Sequence, residues 1–362
     1  MKNVFVSSIY QNAGKTTLSL GLYKVFVERG LATAFMKPLG QQTVVVKEHN
    51  IDKDTYLIGE VYHCRRQYKE MSPVTIGPGF TEEYIFKPNN DVLRAKIEKS
   101  FKSLTRGKDA IIIEGTGHAG VGSVIDLSNA DVAAMLGSKV IIVSEGGIGR
   151  SIDEIMLNKA LFDLKHVEVV GVVVNKVLPE KYDKVKKALA QGLKNKGIRL
   201  LGVLPLDLIL KAPTIEHLMS RLSLKLLSGK SRLNSHVHAT IVAAMEPHNM
   251  VNYLKANTLV LTSGDRVDNI MVAVTSHLIN PGKRGQISGI ILTGGLMPNE
   301  KIMDLLKKSR IPVLITNDDT FTIAGKIENL ICKIQKQDKD KIAEACQLIK
   351  QHVDVDTILN AL

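Results

Sequence analysis

The stretch Ser8-Ile9-Tyr10-Gln11-Asn12-Ala13-Gly14-Lys15-Thr16-Thr17, directly after the apolar run Val4-Phe5-Val6, constrains this chain more than any other. It reads as a strand, a turn of small residues, and a helix that opens on Lys-Thr. The first backbone N–H groups of such a helix have no intrahelical partner and carry the positive end of its dipole, so they attract phosphate. Lys15 adds a full charge, and the Thr16 hydroxyl is placed to ligate Mg²⁺. Asn12, Ala13, Gly14 and Thr17 complete the expected nucleotide cradle. A loop of this kind follows the first strand of a parallel sheet, so it predicts an α/β fold before any other element is read. The glycine that usually opens it is missing, and Ser8 stands near its place.

The rest of the sequence agrees with that start. A length of 362 residues suits two domains. Up to residue 208, apolar β-branched runs alternate with amphipathic stretches, the pattern of a doubly wound parallel sheet. Strands are expected at Asn3–Ser7, Ala32–Lys37, Ala110–Ile113, Lys139–Val143, Val169–Val174 and Leu200–Val203. Helices are expected at Lys15–Arg29, Thr55–Tyr62, Asn90–Thr105, Ala130–Leu136, Ser151–Leu164 and Glu180–Lys196. Pro205–Pro213 reads as a hinge. A smaller α/β unit is expected over 214–327, with strands at Ala239–Val242, Thr258–Thr262, Gly289–Leu292 and Val313–Thr316. A helical extension over 328–362 continues an amphipathic stretch, Ala324–His352, expected to pack on a domain or a partner subunit.

Ligands of open α/β sheets gather at the carboxyl ends of the strands. Lys37 closes the second expected strand, where a cation can turn towards phosphate or substrate. Glu114 ends Ile111-Ile112-Ile113 and opens Gly115-Thr116-Gly117-His118, the place of an acid that holds Mg²⁺ and positions the reacting group. With Lys15 and Lys37 it forms the expected catalytic set. Asp54 suits either a second Mg²⁺ contact or a helix N-cap. Asn175 ends Gly171–Val174 and suits either an adenine edge or a turn. In the second unit, Asp265-Arg266 and Thr293-Gly294-Gly295 follow strands. An anion site there and plain turn chemistry with an Arg–Asp pair are equally compatible with those residues. His118 alone among the histidines is placed for a substrate; His63-Cys64 and His236/His238 lack metal-ligand spacing.

The formal charge of +12 raises the question of nucleic acid. Lysines are spread over helical stretches among acidic residues, without the interleaved aromatics that single strands favour, so a lysine-rich solvated surface is expected. No apolar run approaches the ~20 residues of a membrane span, and the first residues lack a signal-peptide layout. A cytoplasmic protein is expected. Three cysteines without a CxxC pair argue against a disulfide framework or structural zinc.

Lys15-Thr16-Thr17, Lys37-Pro38, Glu114–Gly117 and Gly171–Lys176 with Gly202–Pro205 resemble dethiobiotin synthetase. That resemblance implies ATP and Mg²⁺, with Lys15 and Thr16 on phosphates and metal, Lys37 on substrate or γ-phosphate, and Asp54 and Glu114 on Mg²⁺. It implies Asn175, with Pro205, at adenine. Gln11-Asn12 replaces the family's usual Thr-Glu, and Tyr10 stands where the deviant-Walker ATPases carry a second lysine. Gly264–Asp268, Gly289–Gly295, Pro312–Leu314 and Asp318–Phe321 resemble a DRTGG domain, with Val267 in place of a threonine. This order of domains is similar to the amino-terminal region of long bacterial phosphate acetyltransferases, which implies regulation or assembly. No acetyl-transfer domain follows before Leu362, so acetyl transfer is not expected. The expected function is an ATP-binding regulatory or assembly protein with slow hydrolysis, a dimer by default, with a protein partner in acetate or acyl-phosphate metabolism. The alternatives are an ATP-dependent ligase acting on a small carboxyl or amine, and a nucleotide sensor acting through the second unit.

Overall fold

The computed structural model describes residues 1–279, 287–330 and 332–362. Its contacts divide the chain into two units, 1–207 with 334–362, and 208–333. The first unit is built on a six-stranded sheet: β1 (Lys2–Ser8), β2 (Thr33–Met36), β3 (Ala110–Glu114), β4 (Lys139–Glu145), β5 (Val169–Val177) and β6 (Leu200–Pro205). The strand order is β6-β5-β4-β1-β3-β2, and every pairing is parallel. Strands covered on both faces must be apolar throughout, and Ile111, Ile112, Ile113, Val172, Val173 and Val174 are fully buried. The order reverses around β1, so the crevice beyond its carboxyl end is where this architecture offers a ligand room.

Three helices matter for that crevice: α1 (Lys15–Glu28), α2 (Lys53–Val61) and α3 (Gly149–Leu164). A hairpin that the sequence reading did not anticipate, Thr43–Val46 with His49–Asp52, runs directly into α2. The terminal segment also departs from expectation. Ala324–His352 is not one helix. A helix over Thr320–Glu328 ends, and α4 (Lys339–His352) and α5 (Val355–Ala361) follow as parts of the first unit. The reason is shape. Gly21 on α1 leaves a notch that Ile349 fills, so closely that a Cβ at position 21 would lie 2.3 Å from it. Beyond α4, Val353 bridges Gly202 on the edge strand β6, and Asp354 N donates to Leu201 O at 2.8 Å. Ile349 is fully buried, so Ile349→Ala is expected to destabilise the first unit by about 2–5 kcal/mol in a urea melt.

The second unit has its own five-stranded sheet: β7 (Lys225–Ser228), β8 (Ala239–Val242), β9 (Thr258–Ser263), β10 (Gly289–Thr293) and β11 (Val313–Ile315), in the order β7-β11-β10-β9-β8. Only β7, an edge strand outside the sequence expectation, runs antiparallel. Apolar clusters lie on both faces, Val260, Ile290 and Leu292 facing one way and Leu259, Leu261 and Ile291 the other. Leu208–Lys211, inside the expected hinge, forms one helical turn.

Candidate nucleotide site

The loop after β1 is held open by backbone geometry and by two neighbours. Asn12 and Gly14 both take positive φ, 64° and 111°. Gly14 caps α1, and a Cβ there would meet Asn175 Nδ2 at 2.0 Å, so only glycine fits. Asn175, at the end of β5, donates from Nδ2 to Ala13 O at 2.9 Å and accepts Lys176 N–H at Oδ1, 2.8 Å. Its amide therefore braces the phosphate loop. Lys176 adds a second brace from the same strand, reaching Asn12 O at 2.8 Å and pairing with Glu145, which also accepts from the Tyr10 hydroxyl. Burial, then Glu145, push Tyr10 above its ordinary pKa. The sequence reading missed this Tyr10–Glu145–Lys176 set; its signal was a strand-end carboxylate on β4, one strand away from β1.

Ser8 explains its own presence. Lys15 Nζ donates to Ser8 Oγ at 2.8 Å and reaches Gly117 O at 3.4 Å, while the Ser8 hydroxyl lies 2.9 Å from Gly117 O. The side chain that replaces the usual glycine thus joins the phosphate lysine to the loop after β3. That loop is fixed by Asn129, whose amide spans Thr116 N (3.1 Å), Thr116 O (2.8 Å) and His118 O (2.6 Å). His118 is exposed, and its ring accepts Gly120 N–H.

The acidic half of the site is buried. Thr16 Oγ1 donates to Glu114 Oε1 at 3.0 Å, and Lys37 Nζ, just past β2, lies 3.2 Å from the same oxygen. Lys37 also pairs with Asp54 and stands 3.7 Å from Asp52. Burial works against the Lys37 ammonium, but Asp54, Glu114 and Asp52 together hold its pKa well above the usual lysine value. Burial, offset only in part by Lys37, pushes Asp52 up to about 6. The N-cap of α2 is Asp52, whose carboxylate accepts Asp54 N–H at 2.9 Å. Asp54 is released from capping and turns its carboxylate to Lys37. Asp52 was not among the expected site residues; the hairpin before α2, which carries it in, gave no separable signal. Glu114 is about 1% exposed, and its Oε2 has no hydrogen-bond partner among the described residues. A buried carboxylate oxygen so placed is costly unless something cationic meets it. Thr16, Asp54 and Glu114 therefore present the hard oxygen donors that suit Mg²⁺.

The structure thus brings Lys15, Thr16, Lys37, Asp54 and Glu114 together at the crevice, with Asn12, Ala13, Gly14 and Thr17 in the loop and first turn. Pro205 ends β6, paired with Val177. The second expected ligand site is different. Arg266 spends its fork on Asp268, at 3.0 and 2.9 Å. Gly294 and Gly295 donate to Asp318 O and Thr316 O, and buried Thr293 bonds Thr320 at 2.7 Å. Asp319 caps the helix that follows. Asp265 remains in the turn before Arg266. Arg266, Thr293, Gly294 and Gly295 thus have partners within the unit, contacts that both expected readings allow.

Comparison with known families decides the lineage. A model described as an AAA domain matches residues 2–214. The chain belongs to that family. A DRTGG domain model matches residues 217–330 of the same AAA-domain protein. Among curated proteins it is similar to the phosphate acetyltransferase of Nitratidesulfovibrio vulgaris, 28% identical over 97% of this chain and 50% of that one. The phosphate acetyltransferase of Synechocystis is 26% identical over 99% of this chain and 52% of its own length. The AAA-domain protein thus spans about half the length of these relatives, matching their N-terminal half. Among solved structures, the MinC:MinD cell division complex of Aquifex aeolicus aligns with 58% of this chain and 84% of its own (15% identity, TM-score 0.37). The CBS and DRTGG domains of the Clostridium perfringens pyrophosphatase, solved with diadenosine tetraphosphate, align with 39% of this chain and 67% of their own (17% identity, TM-score 0.27). No helix among the described residues is long and apolar enough to cross a membrane.

Proposed function

We propose that the chain is an ATP-binding regulatory or assembly module, with Mg²⁺ as cofactor and the phosphate loop as its site. The observation that carries this reading is the group of Lys15, Thr16, Lys37, Asp54 and Glu114, all but Thr16 buried, around a Glu114 oxygen with no hydrogen-bond partner among the described residues. In it, Lys15 and the first N–H groups of α1 bind phosphates, and Thr16, Asp54 and Glu114 hold the metal, which supplies neutralisation of phosphate charge. The adenine lies towards the ends of β5 and β6, near Asn175 and Pro205. Likeness to the N-terminal half of phosphate acetyltransferases favours regulation over chemistry, and a partner in acetate or acyl-phosphate metabolism.

The ligase alternative has less support in the site itself. Lys37, the residue that reaction would turn to its substrate, is engaged by Asp54, Glu114 and Asp52. Calorimetric titration with ATP is expected to show saturable binding that strengthens when Mg²⁺ is added. No binding at millimolar ATP would remove the proposal. Rapid ATP turnover only when diaminopelargonic acid and CO₂ are supplied would install the ligase in its place.

A further inference from the structure

Two successive carbonyls of the phosphate loop are held from the end of β5. Ala13 O accepts from Asn175 Nδ2 at 2.9 Å, and Asn12 O accepts from Lys176 Nζ at 2.8 Å. In a trans peptide the C=O and the N–H that follows it point in opposite directions. The peptide units Asn12–Ala13 and Ala13–Gly14 therefore aim the N–H groups of Ala13 and Gly14 away from those two side chains. Neither N–H meets an acceptor among the described residues. Successive backbone donors arranged in this way form the kind of nest that takes an anion.

Lys176 differs from Asn175 in carrying a charge and in what holds it. It takes a φ of 58° inside β5, a left-handed conformation that a residue with a Cβ keeps only where its surroundings impose it. Its ammonium is anchored by Glu145, and Glu145 by the Tyr10 hydroxyl, so the chain of contacts starts and ends on the phosphate loop. A cation on a peptide carbonyl also polarises that peptide and makes its N–H a stronger donor. Lys176 thus acts on the Ala13 N–H in two ways, fixing its direction and strengthening it, from the far side of the peptide.

We propose that Lys176, anchored by Glu145 and Tyr10, is a positioning residue that presets the Ala13 N–H for a nucleotide phosphate. The inference rests on the nucleotide reading above, and the parent chain tells the two apart. Lys176→Asn removes the ammonium and keeps a residue that accepts the left-handed conformation. Calorimetric titration should show it binding ATP about tenfold more weakly than the parent, and Lys176→Arg should recover part of that loss. The melting temperature should stay near that of the parent, because the Lys176 and Glu145 side chains are 40% and 24% exposed and such a pair adds little to stability. With ATP saturating, the amide proton signal of Ala13 should lie downfield in the parent and move upfield in Lys176→Asn. A lysine that merely touched the nucleotide would leave that signal in place. Unchanged ATP affinity in Lys176→Asn, a loss of affinity matched by a fall in melting temperature, or an unmoved Ala13 signal would each overturn the positioning role while leaving the phosphate loop as the site. A parent chain that binds no ATP would remove both.

Discussion

Lys15→Ala is expected to weaken ATP binding by about 100-fold, which corresponds to about 3 kcal/mol of charge-assisted hydrogen bonding lost at the phosphates. Stability should change much less. In the structure, Lys15 Nζ bonds to Ser8 Oγ and Gly117 O. Calorimetry and a thermal melt on one preparation separate the two effects. Unchanged ATP affinity would take the phosphate loop out of the binding site.

Lys37→Met should act the other way round, on stability first. It leaves Asp52, Asp54 and Glu114 buried around a position that has lost its ammonium. Removing one partner from a buried ionic group costs about 3–5 kcal/mol, because the remaining charges stay desolvated. A second change, Asp54→Asn, should recover part of that loss. Added Mg²⁺ should raise the melting temperature of the Lys37→Met protein, since the oxygens left behind suit that ion. A variant as stable as the parent at neutral pH would mean that the cluster is not held together by its charges.

The parts of this protein that were legible in its sequence are those written in contiguous residues. Continuous runs such as Ile111–Ile113 announce parallel strands because nothing polar survives on either face of them. The phosphate loop is legible because strand, turn and helix lie within a few residues of one another. What escaped depends on pairing between distant segments. Asp52 reaches Lys37 only because the hairpin before α2 sets its direction, and two strands of four residues are too short to reveal that hairpin. Ser8 looked like a defect until Lys15 and Gly117 were seen to share it. The bond from Asn175 to Ala13 O escaped because it depends on the missing side chain of Gly14, far away in the sequence. The Arg266–Asp268 pair was legible because the two residues lie close together in the sequence.

The return of residues 334–362 to the first unit has a consequence for how the protein is made. Domains ordinarily fold as units in the order in which the ribosome delivers them. Here residues 208–333 are complete before the first unit can be, because Ile349 and Val353, which fill the notch at Gly21 and cover the edge at Gly202, emerge after them. Residues 1–207 must wait, with the notch on α1 unfilled, until residues 334–362 have been delivered. A fragment cut at residue 214, where the AAA-domain match stops, would therefore lack a wall of its own core.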